Sequence, residues 1–107
     1  GTASTMACLA ATLGFMPLMA ASAPAVHADR LRMAEEAGAQ AVRLIAKPVK
    51  PSALVTPESV ENALRVLLAL GGSTNALVHL AAIAGRAGVV VDLRRLDDLS
   101  EETPVLV

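Results

Sequence analysis

Residues 56–86 read TPESVENALRVLLALGGSTNALVHLAAIAGR, and this stretch sets the theme of the fold. Thr56 is a capping residue, Pro57 suits a first helical position, and Glu58 favours the positive end of a helix dipole. Val60, Ala63, Leu64, Leu67 and Leu68 then recur at the spacing of one helical face. Gly71 and Gly72 end that helix. The next helix is predicted to open at Ser73 or Thr74 and run to about Arg86, with Gly88 past its end. Its expected inner face is Leu77, Leu80, Ala81 and Ala84.

Moving toward the N-terminus, Asp29 is the expected N-cap of another helix, with Glu35 and Glu36 in its early turns. Leu31, Ala34, Ala41, Val42 and Ile45 carry the helical spacing, Gly38 weakens it, and Lys47 and Pro48 end it. Lys47 to Val55 reads as a connector containing Pro48 and Pro51. A first helix is predicted from about Ala3 to Leu13, stopped by Gly14. Phe15 to Val26 reads as irregular, broken by Pro17 and Pro24. Toward the C-terminus, Val89 to Val91 is a β-branched run suited to a short strand, and Leu93 to Leu99 can form a short helix. The expected fold is mainly α, four helices plus a short strand, cut from a larger α/β domain.

Composition supports the idea of a cut piece. The 107 residues suffice for one small domain. They are 54% apolar, yet they include one Phe and no Trp or Tyr, so a core of Ala, Leu, Val and Met is thin in volume. Such helices are expected to pack against something larger. The apolar end at Val105, Leu106 and Val107 adds to the expectation of a truncated chain. A net charge of -1 and scattered basic residues leave no footprint for nucleic acid. Cys8 is the only cysteine, so it has no disulfide or metal partner in the chain, and it reads as a small buried hydrophobe. Gly1 to Val26 lacks Asp, Glu, Lys and Arg, which raises a membrane span or a secretion signal. No basic residue precedes the stretch, Pro17 interrupts it, and Ser22 and Pro24 make its second half a loop. A buried helix followed by an apolar loop is the better reading, and a cytoplasmic protein with no membrane partner is expected.

Three small clusters carry chemical potential. In Gly71-Gly72-Ser73-Thr74-Asn75, two glycines leave one helix and three small polar residues open the next. Free N–H groups there can face a carboxylate or phosphate. A tight helix-to-helix turn with a capping Ser accounts for the same residues without a ligand, and the residues alone favour it. Gly1-Thr2-Ala3-Ser4-Thr5 is a second polar helix start, which plain capping explains as well. His27, Asp29 and Arg30 stand close enough for acid–base work, although a capping Asp with surface neighbours is the commoner arrangement. His79, among apolar residues, is expected to be a satisfied core or interface histidine, since no second His or Cys stands at metal spacing. Asp92, Asp97, Asp98, Glu101 and Glu102 read as a solvated acidic face.

Taken together and in order, the motifs resemble a known family. Gly1-Thr2-Ala3-Ser4-Thr5-Met6-Ala7-Cys8 resembles the segment after a cluster cysteine in the dihydroxy-acid, phosphogluconate and sugar-acid (aldonate) dehydratases. Pro24-Ala25-Val26-His27-Ala28-Asp29-Arg30 is similar to the family's next motif. Glu61-Asn62-Ala63, Gly71-Gly72-Ser73-Thr74-Asn75, Leu77-Val78-His79-Leu80, Leu99-Ser100 and Thr103-Pro104 follow in register. The wording of Gly1 to Ala7 leans toward the sugar-acid branch. One departure stands at Leu18-Met19, where the family usually has a Pro-Gly turn.

The resemblance implies that residues 1–107 are part of an N-terminal domain of a hydro-lyase whose C-terminal domain is absent. That enzyme turns a 2,3-dihydroxy acid into a 2-keto-3-deoxy acid, with an iron–sulfur cluster as Lewis acid and Mg2+ holding the substrate. The ligands of both groups, and the family's catalytic serine, are implied to lie outside this segment. No catalytic or metal-binding residue is assigned here, and the segment alone is expected to be inactive. Thr2, Ser4, Thr5, Ser73, Thr74 and Asn75 are implied candidates for the substrate pocket. The implied partners are the substrate, the rest of the parent chain and further copies in a homo-oligomer. The competing reading is a non-catalytic helical interaction module or decayed paralogue. That reading expects an exposed apolar stripe along Val60, Leu64, Leu67 and Leu68.

Overall fold

Helix α4 (Pro57–Ala69) is the hub, and its start is fixed by three residues. Thr56 Oγ1 accepts the Ser59 N–H at 3.2 Å, and the Thr56 N–H donates to Ser59 Oγ at 2.9 Å. This reciprocal capping box satisfies two otherwise orphaned donors, with Pro57 at the first helical position. Its end is a Schellman closure. The Gly71 N–H donates to Leu68 O and the Gly72 N–H to Leu67 O, each at 3.0 Å. Gly71 takes φ +54 to allow this, a conformation that L side chains rarely adopt.

Residues 1–106 are described in this computed structural model. In chain order they form α1 (Thr2–Thr12), a 3-10 turn (Leu18–Ala21), α2 (Ala28–Ala46), α3 (Pro51–Leu54), α4, α5 (Asn75–Arg86) and α6 (Leu93–Glu102). Helices α1, α5 and α6 pack on α4. Leu9 of α1, Leu80 of α5 and Leu99 of α6 are fully buried against Val60, Ala63, Leu64 and Leu67 of α4. Each such leucine contributes roughly 1.5–3 kcal/mol of burial free energy. Across the outer edge of the α4–α6 contact, Glu61 and Glu102 each pair with both Arg65 and Arg95. The shortest link is Arg95 Nη2 to Glu61 Oε1, at 2.7 Å. All four side chains are more than a third exposed, so the network orients α6 more than it stabilises it.

Several expectations need correction. Val89–Val91 is not a strand, and no strand occurs among the described residues. The run has no second extended segment to pair with. The Val89 N–H instead closes the end of α5 on Ala84 O at 2.8 Å, and Val90 faces solvent. Six α-helices replace the expected four. The Lys47–Val55 connector holds α3, begun by Pro51, and the Phe15–Val26 segment holds the 3-10 turn. The helix expected from Leu93 to Leu99 continues to Glu102. The N-cap of α2 is His27, whose Nδ1 faces the Asp29 N–H at 3.3 Å, so Asp29 falls in the first turn. On α5, Ala76 is buried and Ala81 exposed, because the inward stripe runs Ala76, Leu80, Ala84. Cys8 is half-buried and His79 is exposed, so neither is a core residue. Val60, Leu64 and Leu67 are buried and Leu68 is half-buried. This removes the exposed stripe that the interaction-module reading expects. The terminal Val107 lies outside the described residues.

Helix α2 has a different character. It spans 19 residues with an amphipathic pattern, yet none of them is buried. Arg30 ties its start to the preceding loop, donating to Ala20 O and Ala23 O. A groove of about 660 Å3 separates α2 from the Gly14–Pro17 turn and Leu54. Among the described residues, no helix is long and apolar enough to cross a membrane.

Candidate functional site

The two polar helix starts, far apart in the chain, meet in space. Packing of α1 on both α4 and α5 brings the first turn of α1 against the Gly-Gly turn. Thr2 Oγ1 lies 2.8 Å from Ser73 Oγ, across 71 residues of sequence. The Ser73 N–H donates to Thr5 Oγ1 at 3.2 Å, and Thr5 Oγ1 donates to Gly1 O at 3.2 Å. Gly72 makes this approach possible. A Cβ there would stand 2.7 Å from Leu67 Cδ1 and 2.8 Å from Thr5 Cγ2, closer than side chains tolerate.

Beside this junction opens a cleft of about 450 Å3, lined by Gly1, Ser4, Thr5, Cys8 and the run Leu70–Ser73. No charged side chain lines it. Its electrostatic character comes from the backbone. Neither α1, capped by Gly1, nor α5, capped by Thr74, has a side-chain hydrogen bond closing its N-terminus. On α5 the Ala76 and Leu77 N–H groups turn back to Ser73 O and Thr74 O, at 2.9 and 3.1 Å, so the start of α1 is the one that borders the cleft with its positive dipole end.

The six pocket candidates divide. Ser4, Thr5 and Ser73 line the cleft, and Thr2 reaches it through its bond to Ser73. Thr74 lies on a second recess of about 180 Å3, on the α6 side of the turn, with Leu77 and Leu96. Asn75 is exposed on the first turn of α5 and lines neither recess. Cys8 is a wall residue that sequence reasoning missed. The signal was present, since Gly1, Ser4, Thr5 and Cys8 follow the spacing of one helix face.

The third cluster is bonded to its own neighbours in the chain. His27 Nδ1 lies 3.3 Å from the Asp29 N–H donor nitrogen and 3.2 Å from Asp29 Oδ2. One nitrogen cannot accept and donate at once, so these are alternatives. The unprotonated Nδ1 caps the helix, and a protonated one pairs with the carboxylate. Asp29 Oδ1 also pairs with Arg32 at 2.6 Å, while Arg30 is committed to loop carbonyls. Among the described residues, no group of three or more His, Cys, Asp or Glu stands ready to hold a metal ion.

The packed helices and the cleft define a helical unit in which two hydroxyl-bearing segments, Thr2–Thr5 and Ser73, meet at one recess. Residues 1–107 match the family described as dihydroxy-acid/6-phosphogluconate dehydratase, N-terminal. The chain belongs to that family. It is 47% identical over 106 residues to a dihydroxy-acid dehydratase of Pyrococcus abyssi, covering 99% of this chain and 19% of the relative. A dihydroxy-acid dehydratase of Methanospirillum hungatei is 48% identical over 103 residues, covering 96% and 19%. One from Caldicellulosiruptor saccharolyticus is 46% identical over 105 residues, covering 98% and 19%. The chain thus spans about a fifth of the length of these relatives.

Proposed function

We propose that this chain forms helices and part of the substrate-pocket wall of a hydro-lyase that dehydrates a 2,3-dihydroxy acid. The reaction removes the C2 proton and expels the C3 hydroxyl as water, and the resulting enol becomes a 2-keto-3-deoxy acid. The observation that carries the reading is the meeting of the two family-like motifs, Gly1–Thr5 and Gly71–Asn75, at one cleft. The hydroxyls and the start of α1 there suit a substrate that carries a carboxylate and hydroxyl groups. Ser73, Thr2 and Ser4 are the proposed contacts, with Thr74 and Asn75 flanking them.

The residues present do not fit the iron–sulfur cluster or the Mg2+ that the resemblance implies. Cys8 stands alone, and no acidic or His group joins it at the cleft. The ligands for both are therefore proposed to belong to the rest of a full-length chain, as are the C-terminal domain and the catalytic serine. A cytoplasmic setting and a homo-oligomeric parent come with the resemblance. The three relatives carry the name dihydroxy-acid dehydratase. They favour a branched dihydroxy acid of amino-acid biosynthesis over the sugar acid of carbohydrate metabolism suggested by the wording of Gly1 to Ala7.

The test is 2-keto acid release by a full-length form carrying this segment, offered a branched 2,3-dihydroxy acid and, separately, an aldonate. Turnover of the branched acid, reduced at least tenfold by Ser73→Ala, is the expected result. Turnover of the aldonate alone would restore the sugar-acid branch. Turnover of neither would refute the hydro-lyase reading.

A further inference from the structure

Among the described residues, Thr5 is the one buried polar side chain, 7% exposed. A buried hydroxyl costs free energy unless it is bonded, and valine would fill the same volume without that cost. The Thr5 hydroxyl is bonded both as donor and as acceptor. Its proton goes to Gly1 O and its oxygen accepts the Ser73 N–H. The other branch of the side chain, Cγ2, lies where a Cβ on Gly72 would have to go. One side chain thus controls both residues of the turn: its methyl fits only against glycine at 72, and its hydroxyl fixes the backbone at 73. Ser73 is held at its side chain as well, 2.8 Å from Thr2 Oγ1.

We infer that Thr5 is a positioning residue: it acts through Ser73, fixing where the Thr2–Ser73 hydroxyl pair presents itself to the cleft, and does not itself contact substrate. The inference rests on the dehydratase reading and changes the part Thr5 plays within it. With its proton and an acceptor position spent on the chain's own backbone, Thr5 has no donor left for a ligand. Loss of the hydroxyl frees the Ser73 N–H and lets the turn rotate, moving Ser73 Oγ relative to Thr2. A displacement of that kind matters more to rate than to fold, because misplacement on the order of 1 Å can cost about a hundredfold in turnover.

Two variants separate positioning from packing. Thr5→Val keeps the shape and removes the hydroxyl, while Thr5→Ser keeps the hydroxyl and removes the methyl. Both are made in the full-length form and compared with wild type for kcat and KM, with circular dichroism and thermal unfolding as controls on folding. The expected result is a tenfold or greater loss of kcat/KM in Thr5→Val at unchanged helicity, with most of the loss recovered in Thr5→Ser. Equal activity in Thr5→Val and wild type overturns the inference. Equal loss in both variants also overturns it, since the methyl would then be what matters. An inactive wild type is a different failure: it removes the dehydratase reading, and the positioning role in catalysis falls with it.

Discussion

Helices α4 and α2 were built from similar materials and ended differently. Both are amphipathic, both start at an identifiable cap, and both carry an internal apolar stripe. Four residues of α4 are buried, and three other helices rest on it. None of the residues of α2 is buried, and Leu31, Val42 and Ile45 stand open. The difference teaches that an apolar stripe specifies a helix but not its partner. The partner of α4 is local in space and comes from within these 107 residues. The hydroxyl junction sits on the packed side, formed by α1 and the turn between α4 and α5.

The comparison can be broken by mutation. The largest effect is expected at the packed leucines. Leu80→Ala or Leu9→Ala should cost about 2–5 kcal/mol, since each side chain is fully enclosed. Ile45→Ala on α2 should stay within about 0.5 kcal/mol. Denaturant titration of the three variants checks this, and equal losses would erase the distinction. Next in size is Gly72→Ala. Its Cβ would press on Leu67 Cδ1 and Thr5 Cγ2, at an expected cost of about 1–3 kcal/mol by the same titration. Thr56→Ala breaks the capping box of α4 and should cost about 1 kcal/mol, read as a lowered melting temperature.

The smallest effect concerns the α4–α6 ion pairs. Hydrogen bonds from Arg95 and then Arg65 hold the Glu61 carboxyl below its ordinary value of 4.5, and Arg65 does the same for Glu102. A carboxyl lowered on folding stabilises the fold above its unfolded value and loses that contribution as pH falls through the folded one. Wild-type stability should therefore decline as pH drops below 4.5. Glu61→Gln should show a shallower decline over that range in urea titrations at several pH values. Because these groups are partly exposed, added salt should also shrink the difference.

Much of the α4–α5 hairpin was legible in the sequence because its signals are local. Thr56, Pro57, the Val60–Leu68 stripe and Gly71–Gly72 each act on neighbours within one helical turn. The Val89–Val91 run misled because strand formation depends on a partner that the residues themselves cannot supply. The inner face of α5 holds Leu80 and Ala84 as expected, with Leu77 half-buried against the core, but Ala76 is buried in place of Ala81, since the two are chemically identical and only packing tells them apart. At the candidate site, each polar start was readable as a cap. Their meeting was not, because the contact joins residues 71 positions apart and depends on how α1 packs. Thr5 illustrates the limit. In sequence it is one of four small residues at a helix start, and only burial and the Gly72 approach distinguish it from Ser4.

Through Thr5, the start of α1 and Ser73, just ahead of α5, are joined into one hydroxyl junction. Amide hydrogen exchange at Ser73 tests it most directly, in wild type and in Thr5→Val, with amides of α2 as an internal reference. The Ser73 amide should exchange at least about threefold faster in the variant, as expected for loss of one hydrogen bond, while α2 amides stay unchanged. Identical Ser73 rates in the two proteins would contradict the claim.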